Sequence, residues 1–316
     1  RWMGEKAEDL GVQIFPGFPG AQLVRDGSKV TGVQLADAGV DKNGQAKATF
    51  EAGAILEGKV VVLCEGSRGS MTKQLVQDLR LEGDNPQVYA IGVKEVWEVP
   101  AGQCPPGTVT HSLGYPLKSD TFGGGWVYGM GRSSDGKDMV SIGLVTGLDY
   151  KDPSLDPHYE FQRYKLHPKI RSYIEGGKML HYGAKSLPEG GLYSMPKLYG
   201  DGFLICGDAG GFLNGMRLKG IHLAIRSGML AAETIFEGLK KGVAFDEAQT
   251  QKYDESFRID WSHTELHAAR NFHQGFHGGR IAGLLGAAFN VLFGGKGFLF
   301  KDKLKARAGH EYMQSL

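Results

Sequence analysis

Residues 199–236 constrain the fold of this chain more than any other segment. A short apolar run at residues 203–206 is entered through Asp201-Gly202 and ends in the turn Gly207-Asp208-Ala209-Gly210-Gly211, the pattern of a buried parallel strand. From Gly220 onward, apolar and small residues recur at three- and four-residue spacing, which predicts a helix with one buried stripe. The members of that stripe are Ile221, Ala224, Ile225, Gly228, Ala232 and Ile235. A strand, a glycine turn and a helix in this order indicate an α/β fold.

The glycine turn is also the best candidate for a ligand site. Glycines let the backbone approach a ligand closely, and the start of a helix offers unpaired N–H groups that attract an anion. The strand, the Gly207-Asp208 pair and the following helix together resemble the second FAD-binding segment of flavoprotein oxidoreductases. The resemblance implies that Asp208 holds the ribityl chain or pyrophosphate and that the following amides face the pyrimidine edge of the flavin. An ordinary β-α turn capped by Asp208 is the alternative.

Composition excludes some functional classes. The chain has 316 residues, 41% of them hydrophobic, and a net charge of +1, so bulk electrostatics do not favour nucleic acid as a partner. The 49 glycines occur within mixed sequence, which favours tight turns over a disordered linker.

The three cysteines are far apart in the sequence. Cys64 and Cys206 each end an apolar run, and we expect both to be buried free thiols, while Cys104 lies between them. Three scattered thiols do not form a disulfide framework or a zinc site, which favours a reducing compartment.

The order of the elements predicts an interrupted domain. Residues 1–85 read as strands and helices: a strand at 12–15, hairpins turning at Asp26-Gly27 and Asn43-Gly44, an apolar strand at 60–64 and a helix at 71–81. Short strands with Gly and Pro turns then follow at 89–99, 108–115, 124–130 and 139–144, and a helical stretch occupies 153–177. Because the α/β pattern returns at residue 200, an antiparallel sheet inserted between two parts of a nucleotide-binding domain fits best.

Ten stretches, taken in order, resemble the electron-transfer flavoprotein:ubiquinone oxidoreductase family. They are residues 92–97, 111–117, 121–125, 143–150, 161–165, 175–178, 182–184, 189–191, 196–198 and the Gly207 segment. The likeness runs across about residues 1–300. It implies a membrane-associated enzyme that holds FAD and one 4Fe-4S cluster and passes electrons from reduced electron-transfer flavoprotein to ubiquinone.

The family's domain organisation implies four regions in this chain. Residues 1–85 and 199–242 belong to a Rossmann-like FAD-binding domain, residues 86–198 form an inserted ubiquinone-binding domain, and residues 243–316 form a helical region that contacts the membrane. The family's G-x-G-x-x-G motif and its cluster cysteines do not occur here. We therefore expect them outside a fragment that begins at Arg1, a start that carries no signal or transit peptide.

Candidate cofactor contacts follow from the resemblance and are Gly207, Asp208, Ala209, Gly210, Asn214, Lys219, Gly220, Glu65 and Gly66. Each has a structural alternative: Asn214 could cap a turn, Lys219 could be solvated, and Glu65-Gly66 could belong to an exposed turn before a helix capped by Ser70. His222 follows the glycine loop and is a further neighbour of the flavin. Because a flavin accepts electrons itself, we assign no catalytic acid, base or nucleophile, and no metal ligand.

A glycine run is the predicted location of the quinone site. Gly123 and Gly124 match the glycine pair that offers backbone groups to a quinone carbonyl in the family. A flat ring needs close backbone contact without side-chain clash. A hairpin bend is the alternative.

Residues 281–293 predict attachment to one membrane leaflet. Asn290 is the only polar residue among them, and a helix of this length reaches roughly 20 Å, short of the roughly 30 Å hydrocarbon core. Basic residues follow it, which suits anionic headgroups. We expect the cytoplasmic face of a bacterial membrane or the matrix face of the mitochondrial inner membrane. A buried helix of the core is the alternative.

Two other functional classes stay open. A FixC-type dehydrogenase or an isoprenoid-chain reductase shares the same FAD architecture, although the Gly123 pair and the stretch at 175–178 favour the quinone enzyme. The fragment could also be a non-enzymatic membrane-binding module.

Overall fold

The structure is a computed structural model that describes residues 2–315. Its strands are β1 (Gly20–Asp26), β2 (Lys29–Leu35), β3 (Ala38–Val40), β4 (Ala46–Glu51), β5 (Ile55–Glu57), β6 (Val61–Leu63), β7 (Tyr89–Val99), β8 (Val109–Leu113), β9 (Gly123–Arg132), β10 (Asp138–Gly147), β11 (Lys178–Pro188), β12 (Tyr199–Gly200) and β13 (Phe203–Ile205). Its helices are α1 (Trp2–Asp9), α2 (Ser70–Asp78), α3 (Pro157–Leu166), α4 (Pro168–Arg171), α5 (Ile221–Lys241), α6 (Glu247–Ile259), α7 (Trp261–Ala268) and α8 (Arg280–Leu292).

A small parallel sheet organises the first core. Strands β6 and β13 pair in parallel, with Leu63 opposite Ile205, and β12 adds an antiparallel edge. Helices α2, α5 and α6 bury their apolar faces against these strands, and Leu75, Leu223 and Tyr253 are almost fully buried there. Burial of apolar surface is the main stabilising contribution in such a core. Both predicted hairpins of the first region are present, as β1–β2 and β3–β4.

Helix α5 buries a different stripe from the predicted one. Its buried residues are Leu223, Ser227, Leu230, Ala231, Thr234 and Gly238, whereas Ile221 is 81% exposed and Ile225 is 45% exposed. The prediction of the stripe was therefore wrong, although that of the helix is confirmed. Apolar residues occur on two adjacent faces of α5, so periodicity alone could not choose the face that contacts the sheet.

A five-stranded antiparallel sheet forms the second core, in the order β11-β7-β10-β9-β8. All five strands lie between β6 and β13 in the chain, which confirms the inserted antiparallel sheet of the predicted fold class. Helix α3 covers one face and buries Phe161 and Tyr164 against Val127, Ile142 and Leu144. The helix starts at Pro157, and the Asp156 carboxylate accepts the N–H groups of His158 and Tyr159 at its N-terminus.

Two predictions about local structure were wrong, and one strand was missed. Residues 12–15 do not form a strand. The helical stretch at 153–177 contains two helices, because His167 has extended backbone angles before Pro168. Strand β11 had not been predicted, because it is a mostly exposed edge strand whose mixed polar and apolar residues lack the alternation of a half-buried strand.

The expectation of two buried thiols holds for Cys206 and fails for Cys64, which is exposed. Among residues 2–315, no strand pairs with the outer edge of β6, and Cys64 directly follows that strand. The two thiols still interact, because a hydrogen bond from Cys206 lowers the pKa of Cys64 to about 7.

A buried arginine connects the end of α7 to the segment that follows α8. The Arg270 guanidinium donates to the carbonyl oxygens of His267 and Gly294 and to Asp302. Helix α8 packs on the turn that precedes it, where Gly283 contacts Phe276 and Gly286 contacts Gly275. None of the helices within residues 2–315 combines the length and apolar content needed to cross a bilayer.

Candidate functional site

A cleft of about 370 Å³ lies where β6 and β13 end. Its walls come from the turn after β6, helix α2, the loop before β7 and the turn after β13, and include Gly66, Arg68, Lys73, Tyr89, Asp208 and Ala209. Ligands of open α/β sheets bind at the carboxyl ends of parallel strands, and this cleft has that position. Three sequence-predicted residues, Gly66, Asp208 and Ala209, therefore face one space.

Both strand ends turn through a glycine with positive φ. Gly66 has φ +83° and Gly207 has φ +62°, conformations that other residues adopt with strain. The Gly207 N–H donates to Ser227 Oγ at 2.9 Å, which ties the turn to α5. Gly210 is buried, and a Cβ there would lie 2.9 Å from Leu198, so its lack of a side chain serves packing. These contacts fix the turn against α5 and Leu198, and Asp208 in this turn faces the cleft.

Asp208 lies in a partly desolvated setting with a cation nearby. Burial raises the pKa of its carboxyl, and the positive charge of Lys185 opposes that rise. Lys185 also approaches Gly66, because a Cβ on that glycine would be 3.1 Å from the ammonium nitrogen. A carboxylate beside a close-approach glycine can accept hydrogen bonds from a ligand hydroxyl group.

Glu65 has a structural role at the start of α2, and its contact with the cofactor stays a prediction. Its carboxylate accepts the N–H groups of Met71 and Thr72 at 3.3 and 2.7 Å, together with the Thr72 hydroxyl. These bonds satisfy the N-terminus of α2, where Ser70 makes no capping hydrogen bond. Glu65 therefore replaces Ser70 as the capping side chain.

Asn214 also has a structural role, because its side chain bonds within and beside its own turn. It is 1% exposed, its amide donates to Glu265 at 2.8 Å, and its carbonyl oxygen accepts the Arg217 N–H. The carbonyl end of the side chain is therefore engaged within its own turn, and the amide end ties that turn to α7.

The other predicted neighbours lie outside the walls of the cleft. Lys219 is exposed, with its ammonium 5.9 Å from the ring centre of Tyr128, and Gly220 precedes the first residue of α5. His222 contacts Glu265 at 3.1 Å and stacks on Trp261.

Sequence reasoning missed the basic residues around the cleft. Arg68 lies 5.3 Å from the ring centre of Tyr89, and both residues line the cleft together with Lys73. Arg and Lys side chains bind phosphate oxygens well. Arg68 stands in the turn after β6 and could have been found there, whereas Lys185 belongs to the unpredicted strand β11.

Gly123 and Gly124 open β9 beside a second, smaller cavity. Leu113, Phe122, Gly123, Phe276 and Arg280 contribute to its walls. A Cβ on Gly123 would overlap the Val145 carbonyl oxygen, and one on Gly124 would overlap the Ser112 carbonyl oxygen. The two glycines thus let neighbouring strands approach, a packing role that accompanies the proposed ligand role.

Helix α8 begins at the wall of this second cavity. The Arg280 N–H donates to Ser119 O at 2.7 Å, and its guanidinium donates to Leu117 O at 2.8 Å. These bonds connect the loop before β9 to the first turn of the apolar helix. The glycine pair and the predicted membrane segment are therefore structural neighbours.

Comparison with known proteins identifies the family. The family model described as "ETF-QO, ubiquinone-binding" matches residues 89–187, which cover the antiparallel sheet. The mitochondrial electron transfer flavoprotein-ubiquinone oxidoreductase of Oryza sativa subsp. japonica is 41% identical over 301 residues, 94% of this chain and 51% of that protein. The Homo sapiens protein of the same name is 42% identical over 282 residues, 88% of this chain and 45% of that protein.

The chain belongs to the electron transfer flavoprotein-ubiquinone oxidoreductase family. It spans about half the length of the curated relatives it matches. This agrees with the resemblance carried by the ten sequence stretches.

Solved structures support the fold of this family member. A geranylgeranyl bacteriochlorophyll reductase-like protein from Thermoplasma acidophilum has a TM-score of 0.65 at 16% identity, covering 93% of this chain and 64% of its own. The flavin-dependent brominase Bmp2 has a TM-score of 0.60 at 19% identity, covering 92% and 64%. At these identities the likeness concerns the fold alone.

The family's iron-sulfur cluster has no ligand set in this chain. Its three cysteines lie in two parts of the fold, with exposed Cys64 and buried Cys206 at the ends of the parallel strands and Cys104 in the core of the antiparallel sheet domain. Four thiolates are the usual ligands of a 4Fe-4S cluster. The residues present do not fit the cluster.

Proposed function

We propose that this chain is the FAD- and quinone-binding part of a dehydrogenase that passes electrons from reduced electron-transfer flavoprotein to ubiquinone. The match of residues 89–187 to a ubiquinone-binding domain carries the proposal. The domain boundaries are those expected above, with residues 1–85 and 199–242 in the FAD-binding domain, 86–198 in the quinone-binding domain, and 243–316 in the helical region. The 4Fe-4S cluster belongs to the family's electron path and is held outside this chain.

The main cleft is the proposed FAD site, and its residues fit that cofactor. Gly66 and Gly207 allow close approach at two adjacent strand ends. Asp208 accepts hydrogen bonds from the ribityl hydroxyl groups, and Arg68 and Lys73 offer positive charge to the pyrophosphate. The flavin supplies the electron-accepting ring when bound.

The second cavity is the proposed quinone site. Gly123 lies in its wall with Gly124 next to it in the chain, and Leu113 and Phe276 are apolar members of its lining. The cavity has a volume of only about 10 Å³ in this structure, so a flat ring enters only when the lining side chains move apart. Its position beside the start of α8 suits a substrate that is soluble in lipid.

Attachment to one membrane surface completes the proposal. The exposed apolar residues of α8 and the following loop include Ile281, Leu285, Leu292, Phe298, Leu299 and Phe300, all at least 59% exposed. Exposed Lys296, Lys301 and Lys305 follow or flank them. An apolar patch rimmed by basic residues suits the headgroup region of an anionic membrane. The matrix face of the mitochondrial inner membrane or the cytoplasmic face of a bacterial membrane is the proposed location.

The whole activity is tested with the intact protein, purified electron-transfer flavoprotein and a short-chain ubiquinone. We expect reduction of the quinone at the expense of reduced electron-transfer flavoprotein, followed by the change in quinone absorbance. A flavin-bearing protein that accepts these electrons and reduces no quinone would contradict the proposal.

Replacing Asp208 with Ala is expected to weaken FAD binding about ten- to hundredfold. A hydrogen bond to a charged group contributes about 1.5–3 kcal/mol, which Ala cannot make. Flavin absorbance per protein, measured on the intact protein after gel filtration, reports the occupancy. Asp135→Ala, in an exposed turn before β10, is the matched control and should keep full occupancy. Equal occupancy in both variants would remove Asp208 from the site.

Replacing Leu113 with Trp is expected to lower quinone reduction at least about tenfold, because the larger ring fills the second cavity. Val or Ala at Gly123 would be a poorer test, since either disturbs the sheet itself. Val109→Trp lies on the same strand and is 66% exposed, so it serves as the control. Flavin reduction by dithionite should be unchanged in both variants. Normal quinone turnover by Leu113→Trp would place the quinone elsewhere.

A further inference from the structure

A buried ionic group of three side chains lies beneath the proposed quinone site. His273 is 3% exposed, and its Nε2 lies 3.1 Å from Asp149 Oδ2. Its Nδ1 lies 3.6 Å from Glu189 Oε2. Asp149 follows β10, Glu189 follows β11 and His273 follows α7, so three distant chain segments meet at one imidazole.

This group separates the two sides of the site. Glu189 and His273 line a small cavity together with Leu213 and Gly215, which follow the FAD-side glycine turn. On the other side, the ring of Phe122 packs against His273 in a tilted arrangement, with ring centres 4.6 Å apart and planes at 59°. Phe122 and its neighbour Gly123 line the quinone-side cavity. The ionic group is therefore the wall between the flavin turn and the quinone glycines.

Glu189 is the most unusual member of the group. It is 2% exposed, and neither carboxylate oxygen accepts a hydrogen bond from any residue within 2–315. A buried carboxylate without donors is costly unless a cation or a proton neutralises it. His273 is the nearest cation, and it is shared with Asp149. The three side chains thus place two acidic groups and one basic group together, each at most 9% exposed.

The protonation of the two histidines differs. Burial alone would lower the pKa of His273, but the hydrogen bond to Asp149, the contact with Glu189 and the charges of both raise it to about 9. Burial would raise the pKa of Asp149, but His273 and His277 lower it. Burial and the charge of His273 lower the pKa of His277. A charged histidine and a neutral one are therefore neighbours near neutral pH.

His277 connects the group to the surface. Its Nε2 lies 3.8 Å from Asp149 Oδ2, and Tyr312 Oη lies 3.1 Å from its Nδ1. The His277 side chain is 20% exposed, and Tyr312 also accepts the Arg307 N–H. The charged side chains of Arg307 and Glu311 also lie near this end. The charge of Arg307 acts to lower the pKa of His277, and the charge of Glu311 acts to raise the pKa of Tyr312. Proton-exchanging groups thus extend from Glu189 to solvent.

We propose that the ionic group of Glu189, His273 and Asp149 stores a proton for quinone reduction. After the proton has left, another reaches the group from solvent through His277 and Tyr312. This inference rests on the proposed function. Reduction of a quinone to a hydroquinone takes up two electrons and two protons, and both C=O groups become C–OH. The electrons come from the flavin. The ionic group releases one proton as each of the two O–H bonds forms on the quinone, and it regains a proton from solvent after each release. These side chains are proton-positioning residues and not contacts of the quinone.

The test compares two electron acceptors in the intact, flavin-loaded protein. A short-chain ubiquinone takes up protons on reduction, whereas the ferricenium ion takes up one electron and no proton. We expect Glu189→Gln and His273→Arg to slow ubiquinone reduction about ten- to hundredfold, the range of a lost proton-transfer group, with ferricenium reduction unchanged. His181→Asn, an exposed histidine on β11, is the control and should match wild type with both acceptors.

Histidine titration gives a readout independent of turnover. In protein labelled with ¹³C-histidine, the His273 resonance should titrate at higher pH in wild type than in Glu189→Gln, because that variant loses one negative neighbour. An unchanged His273 titration in Glu189→Gln would overturn the coupling of the two groups.

His273→Arg distinguishes proton storage from a purely structural ion pair. Arginine keeps the positive charge but does not release a proton near neutral pH. Full ubiquinone turnover by a folded His273→Arg variant would overturn the proton store, as would a stoichiometric metal ion bound at these side chains. A wild-type protein that reduces ferricenium but no quinone would instead overturn the proposed function on which the inference rests.

Discussion

Replacing Leu284, Leu285, Leu292 and Phe293 together with Ser is expected to abolish binding of the intact protein to anionic liposomes. These side chains are 42–76% exposed on α8 and just after it, so the change should leave the fold intact. Each apolar side chain that enters the hydrocarbon contributes roughly 1 kcal/mol or more. Loss of four lowers the partition coefficient by about a thousandfold. Co-sedimentation with liposomes measures the bound fraction.

The control for this experiment is an equally apolar surface away from α8. Leu166 and Ile259 are 68% and 91% exposed, and the variant carrying Ser at both should sediment like wild type. Loss of binding in the control alone, or equal binding by the quadruple variant and wild type, would show that α8 is not the anchor.

The free energy of unfolding is expected to fall as the pH rises from about 6.5 to about 9, through the titration of His273. Its pKa in the folded protein is raised from 6.5 to about 9 by Asp149 and Glu189, against the opposing effect of burial. A group with a raised pKa stabilises fully below its unfolded value and loses that effect as the pH rises through the folded one. The shift corresponds to about 3 kcal/mol. Denaturant unfolding followed at several pH values measures it.

His273→Asn removes the titrating group and should remove this slope, while lowering stability most at pH 6. His310→Asn is the control, because His310 is exposed near the C-terminus and should keep the wild-type slope. A wild-type protein whose unfolding free energy stays constant over this pH range would contradict the buried imidazolium.

The sequence was sufficient to place the main cleft because its signals are local. An apolar strand followed by glycine occurs twice, after Leu63 and after Ile205, and adjacent parallel strands bring their carboxyl ends together. Gly66 and Asp208 share one space for that reason. Four of the five strands of the antiparallel insert were predictable for a similar reason, since they are rich in β-forming residues and are separated by Gly and Pro turns.

Other features depend on geometry that a local pattern does not contain. Glu65 stands in a glycine turn like a ligand contact, but the first N–H groups of α2 lie within its reach. The buried face of α5 depends on which of two apolar stripes meets the sheet. The group formed by Asp149, Glu189 and His273 joins residues more than 100 positions apart at its extremes, and each appears ordinary alone.

The position of the inserted sheet also bears on how the chain folds. Pairing of Leu63 with Ile205 closes a loop of about 140 residues, and such a non-local contact is slow to form. The insert brings Tyr89 next to Pro188 by pairing β7 with β11, and once that has happened only about 40 residues remain between the two parallel strands. The entropic free-energy cost of closing the loop then falls by roughly 1 kcal/mol. By shortening this loop, the antiparallel sheet on the quinone side assists pairing of the parallel strands β6 and β13, at whose ends the cofactor cleft lies.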